Sequence, residues 1–358
     1  MRILMMSRAT SRNFPGGDTI QMKESATSLR KLGLEVDIMY ADEKPKYSQY
    51  NIIHFFNIIR PADILAHINH DIPFIVSAIY VDYEDVEKSS KNIFRKSIAH
   101  LFNPNTIEQF KAIARHILGK EKIQSFKYLL CGHKSSILKI IKLSKSIIFI
   151  TDVEKKRFES SYQPIENSSI IPNGINTSIF KKESINESRE GVISVARFEP
   201  RKNQIKLIEA CKKLNLPLKL IGKADDNHAD YYKQCKNSLS NNMEIIDFIP
   251  HDILIDYYKK AKIHALPSYF ECSPLSTLEA MSMGCIPVIS NTTDDKDYYS
   301  QFASYCDANE IDSIVSALEK ASTKSNHNEI SHYIQNEFTW DNTAIKIYSI
   351  YKSILNES

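Results

Sequence analysis

Nowhere in this chain of 358 residues does an apolar run approach the roughly 20 residues needed to span a bilayer. Its start, MRILMMSRATSR, holds an apolar stretch too short for the core of a signal peptide, and no small-residue cleavage site follows. A cytoplasmic protein is the expectation. The six cysteines (Cys131, Cys211, Cys235, Cys272, Cys285 and Cys306) include no C-x-x-C pair, so neither a zinc signature nor a disulfide framework is present. No ligand set for a catalytic metal stands out, and neither metal nor cofactor is expected. Internal repeats and low-complexity segments are also missing.

What is there has the composition of a globular protein, 42% hydrophobic and 25% charged. The length exceeds one ordinary core and predicts two domains. The net charge of +3 hides an asymmetry. Between Lys88 and Lys145, 13 Lys and Arg face only Glu108 and Glu121, a local net of +11, so the rest of the chain is acidic. Such a patch suits an anionic partner: acidic lipid headgroups, a polyprenyl diphosphate or nucleic acid. It also suits a solvated helical surface. Phe94, Phe102, Phe110, Phe126 and Tyr128 read as core-facing, which leaves too few free aromatics for nucleic acid, and none is expected as a partner.

Short apolar runs alternate with amphipathic segments. Strands are predicted at 2–7, 35–40, 52–55 and 74–78, with a helix over 19–32 closed by Gly33. A basic helical stretch over 88–144 precedes strands at 147–151 and 170–171. The charged segment KKESINESREG, residues 181–191, lacks apolar periodicity and is taken as a linker. A second series follows, with strands at 192–196, 218–221, 244–248, 263–266 and 286–289. Helices over 204–214, 231–239, 252–261, 274–283 and 310–321 separate or follow them, and an amphipathic helix spans 340–355. The βα rhythm predicts two parallel sheets covered by helices on both faces, with ligands at the carboxyl ends of the strands. The expected domains are 1–182 with 340–358, and 190–339.

Five segments carry possible chemistry. Phe14-Pro-Gly-Gly-Asp-Thr19 joins the first strand to the first helix, where Gly17 lets backbone approach a ligand, although an ordinary capped turn reads the same way. Ile170-Ile-Pro-Asn-Gly-Ile175 is by itself only a turn. Val195-Ala-Arg-Phe-Glu-Pro-Arg-Lys202 gathers Arg197, Arg201 and Lys202 in one loop at a strand's carboxyl end, a setting for a diphosphate. Glu271 and Glu279 flank the start of a helix, whose free N–H groups favour an anion. Ser273, Pro274, Ser276 and Thr277 supply capping there, which leaves the Glu279 carboxylate free to accept from vicinal hydroxyls. Ser77-Ala-Ile-Tyr-Val-Asp-Tyr83 offers Asp82 as a candidate on the acceptor side, or an ordinary polar loop.

Together these segments resemble the retaining GT-B glycosyltransferases of family 4, the large group 1 set. Glu271 and Glu279 match the family's Glu-x7-Glu motif, and LEAMSMGCIPVIS matches its continuation. Val195-Ala-Arg-Phe with Lys202 resembles its glycine-arginine-leucine loop and lysine, and IIPNGINTSIF its hinge segment. Phe338-Thr-Trp340 and the following helix resemble its closing helix.

The resemblance implies an α/β fold of two doubly wound, Rossmann-like domains facing across a cleft, with the last helix crossing back to the first. It implies that Arg197 and Lys202 neutralise a donor diphosphate, Glu279 holds ribose hydroxyls and Glu271 orients the transferred sugar. Gly17 would approach the donor, the N–H groups of Leu275 and Ser276 would point at the diphosphate, and Phe248 and Ile249 would line the base pocket. The implied activity moves a hexose or acetamido-hexose, with retention and without metal, from a nucleoside diphosphate sugar to a lipid-linked glycan. That belongs to assembly of cell-surface polysaccharide of the O-antigen or capsule type, with Lys88–Lys145 against an anionic inner leaflet. A sugar phosphorylase, a nucleotide-sugar epimerase or a non-catalytic binding partner are the alternatives. Three departures stand out. Cys272-Ser273-Pro274 replaces Gly-Phe-Gly, Ala196 and Asn203 stand where glycines are common, and Ile79 and Tyr80 occupy the place of a cleft histidine.

Overall fold

The structure is a computed structural model that describes residues 1–12, 15–68, 71–80, 104–119, 122–181, 188–299 and 301–356. The chain divides into two compact units, Met1–Asn173 with Trp340–Ser358, and Gly174–Thr339. The division falls upstream of the 181–191 segment, for a packing reason. Ile175 N–H donates to the Phe338 carbonyl at 2.8 Å, and Phe180 is buried in the second unit's core.

The first unit contains β1 (Arg2–Ser7), α1 (Gly17–Lys31), β2 (Glu35–Tyr40), β3 (Ile52–Phe56), α2 (Pro61–Leu65) and β4 (Phe74–Ser77). It continues with α3 (Pro104–Ile117), α4 (Phe126–Cys131), α5 (His133–Leu143), β5 (Ser146–Phe149), α6 (Asp152–Ser161) and β6 (Ser168–Ile170). The second unit contains β7 (Glu190–Val195), α7 (Gln204–Lys213), β8 (Leu218–Ile221), α8 (Ala229–Asn237), β9 (Met243–Ile246), α9 (His251–Lys260) and β10 (Ala261–Leu266). Then come α10 (Leu275–Ser282), β11 (Ile286–Ser290), α11 (Lys296–Tyr299), β12 (Ser304–Cys306), α12 (Ile311–Ser322) and α13 (His327–Glu337). The last helix, α14 (Trp340–Asn356), belongs to the first unit.

The first sheet is parallel, in the order β2-β1-β3-β4-β5-β6. Its strands alternate between two apolar layers, because successive side chains in a strand point to opposite faces. Leu4, Met6, Ile53 and Phe55 enter one core, and Ile3, Met5, Ile52 and Phe56 the other. The second layer is closed by Met22, Ala26 and Leu29 of α1 and by Ala344, Ile347, Tyr351 and Ile354 of α14. One polar tie crosses it. The fully buried His54 ring meets the Tyr351 hydroxyl at 2.7 Å and the Ser77 hydroxyl at 2.9 Å.

The second sheet is also parallel, in the order β12-β11-β10-β7-β8-β9. Its chain runs outward from β7 through β8 and β9, then restarts on the other side at β10. The strand order therefore reverses between β7 and β10, and in the first sheet between β1 and β3. Open α/β sheets bind ligands at the carboxyl ends of the strands at such reversals.

Two expectations about the basic region need correction. Phe110 is 56% exposed and Phe126 is 72% exposed, so neither faces a core, whereas Tyr128 is buried. In α4 the inward Tyr128 forces Phe126 and Leu130, two residues to either side and about 200° around the helix, to point outward. Phe94 and Phe102 lie outside the described residues.

Candidate functional site

The reversal point of the second sheet is where its charged residues converge. The loop leaving β7 and the loop leaving β10 are joined by backbone and side chain. Tyr269 N–H donates to the Arg201 carbonyl at 2.9 Å, and the Asn203 amide donates to the Pro267 carbonyl at 3.1 Å and to Ala308 at 2.8 Å. Asn203 adopts the left-handed conformation, with φ 59° and ψ 32°. Besides glycine, asparagine is a residue that tolerates this region, which accounts for its standing where glycine is common.

Glu271 is buried at this junction. Its Oε1 accepts from Lys202 Nζ at 2.5 Å, and Oε2 lies 3.3 Å from Arg201. Arg201 also donates to the Phe270 carbonyl at 2.8 Å and pairs with Glu199 at 2.7 Å. Burial alone would push the Glu271 carboxyl up, but the charges of Lys202 and Arg201 outweigh it and hold the group at about 2. Burial draws the Lys202 ammonium down from its ordinary value, and the Glu271 charge opposes that. The result is a charged, largely dehydrated cluster. Arg201 is a full member that the resemblance assigned no role. Its signal in the sequence was its place in a three-cation loop.

Arg197 differs from its neighbours. It is exposed, and its guanidinium has no ion-pair partner among the described residues, while its carbonyl accepts from Gln204 at 2.9 Å. A cation in that state is available to an external anion. Across from it, the strand end at Gly222 approaches very closely: a Cβ there would stand 2.1 Å from the Ala196 carbonyl.

Helix α10 begins at the same end of the sheet. Pro274 is its N-cap, with no side-chain cap, and Thr277 N–H turns back to the Pro274 carbonyl at 3.0 Å. The capping expected from Ser273, Ser276 and Thr277 is therefore not formed. The Thr277 hydroxyl is buried without a hydrogen-bond partner among the described residues. Leu275 and Ser276 lie half-buried in the first turn, where a helix leaves N–H groups free for an anion.

Glu279, one turn on, is buried. Its carboxylate is reached by the Tyr258 hydroxyl at 3.5 Å and by His251 Nε2 at 3.7 Å. Burial, then the Glu279 charge, drives the Tyr258 phenol well above its usual value, so it remains a donor. Neither Tyr258 nor His251 was singled out from sequence, since each sits in an ordinary amphipathic helix pattern. Phe248 is 63% exposed beyond the end of β9, with the Lys223 ammonium 5.5 Å from its ring, and Ile249 is packed against the core. The strand expected to reach Phe248 ends at Ile246.

In the first unit the reversal point is held by Asp18. Its buried carboxylate accepts from Arg8 at 2.6 Å and from Asn57 at 3.2 Å, across the loops leaving β1 and β3. Gly17 opens α1 beside it, and a Cβ there would meet nothing within 4 Å. Ile79, at the carboxyl end of β4, has φ 48°, an unusual value for a β-branched residue and the kind of strain found at working sites. Asp82 lies outside the described residues.

Among the described residues no helix is long and apolar enough to cross a membrane, and no group of three or more His, Cys, Asp or Glu is placed to hold a metal.

Residues 176–337, which lie within the second unit, match the family of glycosyl transferases group 1. A glycogen synthase of Clostridium kluyveri is 26% identical over 191 residues, 48% of this chain but only 39% of that synthase's length. Sucrose-phosphate synthase from Thermosynechococcus elongatus superposes over 100% of both chains with a TM-score of 0.78 and 14% identity. HepE of Anabaena, in complex with UDP and glucose, gives 0.68 and 14% identity over 99% of this chain and 100% of its own. At such identities the structural likeness speaks for the fold: two Rossmann-like α/β units of the GT-B kind.

Proposed function

We propose that this chain is a glycosyltransferase that binds a nucleoside diphosphate sugar on its second unit and transfers the sugar to a glycan. The observation that carries the proposal is the meeting of Glu271, Lys202 and Arg201 where the strand order reverses, beside the start of α10. Arg197 and the first-turn N–H groups of Leu275 and Ser276 take the diphosphate, as positive ends placed where the leaving group gains charge. Glu279 accepts from the ribose hydroxyls, steadied by Tyr258. Glu271 accepts from the sugar. Lys202 has two tasks: it keeps Glu271 ionised, and it turns to the phosphate as the leaving group departs. Phe248, with Ile249 behind it, offers a face to the base. HepE, whose fold is similar, is held with UDP and glucose, which makes a uridine donor the first to test.

The finer reading is a metal-independent transfer of a hexose or acetamido-hexose with retention, catalysed by positioning and charge stabilisation without a strong protein nucleophile. The acceptor we propose is lipid-linked, in cell-surface polysaccharide assembly. Support comes from the first unit, where Lys122, Lys127, Lys134, Lys139, Lys142 and Lys145 are exposed. Phe110, Ile117, Leu118, Phe126 and Leu130 are exposed on the neighbouring α3–α4 segment. Apolar side chains among lysines suit the surface of an anionic membrane.

The test is a thermal-shift panel of uridine and guanosine diphosphates and their sugars, since a ligand bound by the folded state raises its melting temperature. Stabilisation by one nucleoside diphosphate, larger with its sugar attached, is expected. A flat response across the panel would refute the donor assignment. Product analysis with and without a glycan acceptor then separates transfer from phosphorolysis or epimerisation.

A further inference from the structure

One buried carboxyl group near Glu271 has no part in that scheme. Asp295 precedes α11, in the loop leaving β11, and is 1% exposed. Its Oδ1 lies 2.5 Å from the Thr293 hydroxyl and its Oδ2 lies 2.6 Å from the Tyr299 hydroxyl. The same loop grips the main chain of Glu271. Asp294 N–H donates to the Glu271 carbonyl at 2.9 Å, and the Thr293 hydroxyl stands 3.4 Å from that oxygen.

We propose that Asp295 is a positioning residue for Glu271, acting through the Thr293 hydroxyl and the loop that both share. The proposal rests on the reading of Glu271 as the group that holds the donor's sugar. A hydroxyl has one hydrogen to give. With Asp295 ionised, Thr293 and Tyr299 both donate to it, and the Glu271 carbonyl keeps only the Asp294 N–H. With Asp295 protonated, the acid donates to Thr293, whose hydrogen is then free for the Glu271 carbonyl. The protonation of one buried acid thereby sets how firmly the main chain of Glu271 is held.

The charged and titratable groups around Asp295 are few. Glu271 faces it from the β10–α10 loop, Lys296, Asp297 and Tyr299 belong to α11, Tyr305 to β12, and Asp294 to its own loop. No cation pairs with Asp295 among the described residues. Burial, helped by the Glu271 charge and opposed by the two hydroxyls, brings the acid up to about 7, so the exchange falls in the neutral range.

The experiment measures binding of the methyl diester of UDP and of UDP-glucose between about pH 6 and about pH 8, because neither ligand carries a titrating terminal phosphate and their affinity ratio isolates the sugar's share. The wild type is expected to show a ratio about threefold higher at the acid end, from one added hydrogen bond at the Glu271 carbonyl. Asp295→Asn, which donates through its amide at every pH, should give the high ratio throughout. Thr293→Val, which cuts the relay while keeping the shape, should give the low ratio throughout. Affinity for the methyl diester itself should move little in either variant. A ratio that still changes with pH in both variants as in the wild type overturns the proposal, with the donor site left standing. Wild-type protein that binds neither the methyl diester of UDP nor UDP-glucose refutes the uridine-donor reading, and the proposal falls with it.

Discussion

Lys202 and Glu271 are 69 positions apart in sequence, yet their charged atoms meet at 2.5 Å in the interior of the second unit. Each comes from a loop at the carboxyl end of one of two adjacent strands, β7 and β10, so the pair exists only because the sheet reverses its order there. Breaking it has a stability signature. The Glu271 carboxyl is held at about 2 against an ordinary value of 4.5, so its contribution is present above the ordinary value and is lost as pH falls through about 2. By linkage that contribution is on the order of 3 kcal/mol at neutral pH. Lys202→Ala leaves Glu271 with Arg201 alone and should raise the carboxyl's pKa. The expected outcome is a loss of about 2–3 kcal/mol in chemical denaturation at pH 7, with the onset of acid unfolding moved to higher pH. An unchanged acid limb would show that the pair is not formed in solution.

Glycines in the two units should respond differently. At Gly222 the added Cβ would stand 2.1 Å from a backbone carbonyl that cannot retreat, and φ is 151°. Gly222→Ala should cost about 3 kcal/mol or prevent folding. Gly17→Ala meets open space and should leave the melting temperature unchanged, so any loss of turnover in that variant reports on ligand approach. Lys202→Ala should lower turnover far more than Gly17→Ala.

The tie between β3 and α14 is polar within an apolar layer. Tyr351→Phe removes the partner of one His54 ring nitrogen and leaves it buried and unsatisfied. His54 is already held neutral, at about 3, by burial. A loss of about 1–2 kcal/mol is expected, with the same magnitude at pH 6 and pH 8 because the ring does not titrate there. A pH-dependent loss across that range would mean that the ring is charged in the folded state.

Membrane attachment through the first unit predicts two separable effects in vesicle flotation. Replacing Phe126 and Leu130 by serine removes apolar insertion and should reduce binding to phosphatidylglycerol vesicles several-fold at any salt. Replacing Lys122 and Lys127 by glutamine should reduce it most at low salt, since surface charge is screened. Flotation independent of anionic lipid would end this part of the account.

Much of this was legible in the sequence because the second unit announces itself locally. Parallel strands buried on both faces read as apolar runs, and the segments from Val195 and from Glu271 stand out as charge against those runs. What stayed hidden depended on long-range pairing. Arg201 read as one of three cations for a diphosphate, and its pairing with Glu271 showed only once the β10 loop was placed beside it. Asp295 looked like one more acid in TTDDKD. The three-residue strand Ser304–Cys306 and helix His327–Glu337 went unread, the first too short for a period to show and the second with few apolar residues. Phe110 and Phe126 misled for the opposite reason: aromatics in helical segments suggest a core, and here they face outward. Asn203 shows the reverse case, a departure from a glycine that its left-handed backbone explains.

The central claim is that the second unit holds a nucleoside diphosphate sugar, with the ribose on Glu279. Calorimetric titration of wild type and Glu279→Gln with UDP, GDP and their sugars tests it most directly. The account predicts that the wild type binds one nucleotide and that the variant loses about tenfold or more in affinity for it, the worth of one charge-assisted hydrogen bond. Equal affinity in the two proteins, or no nucleotide binding by the wild type, would contradict it.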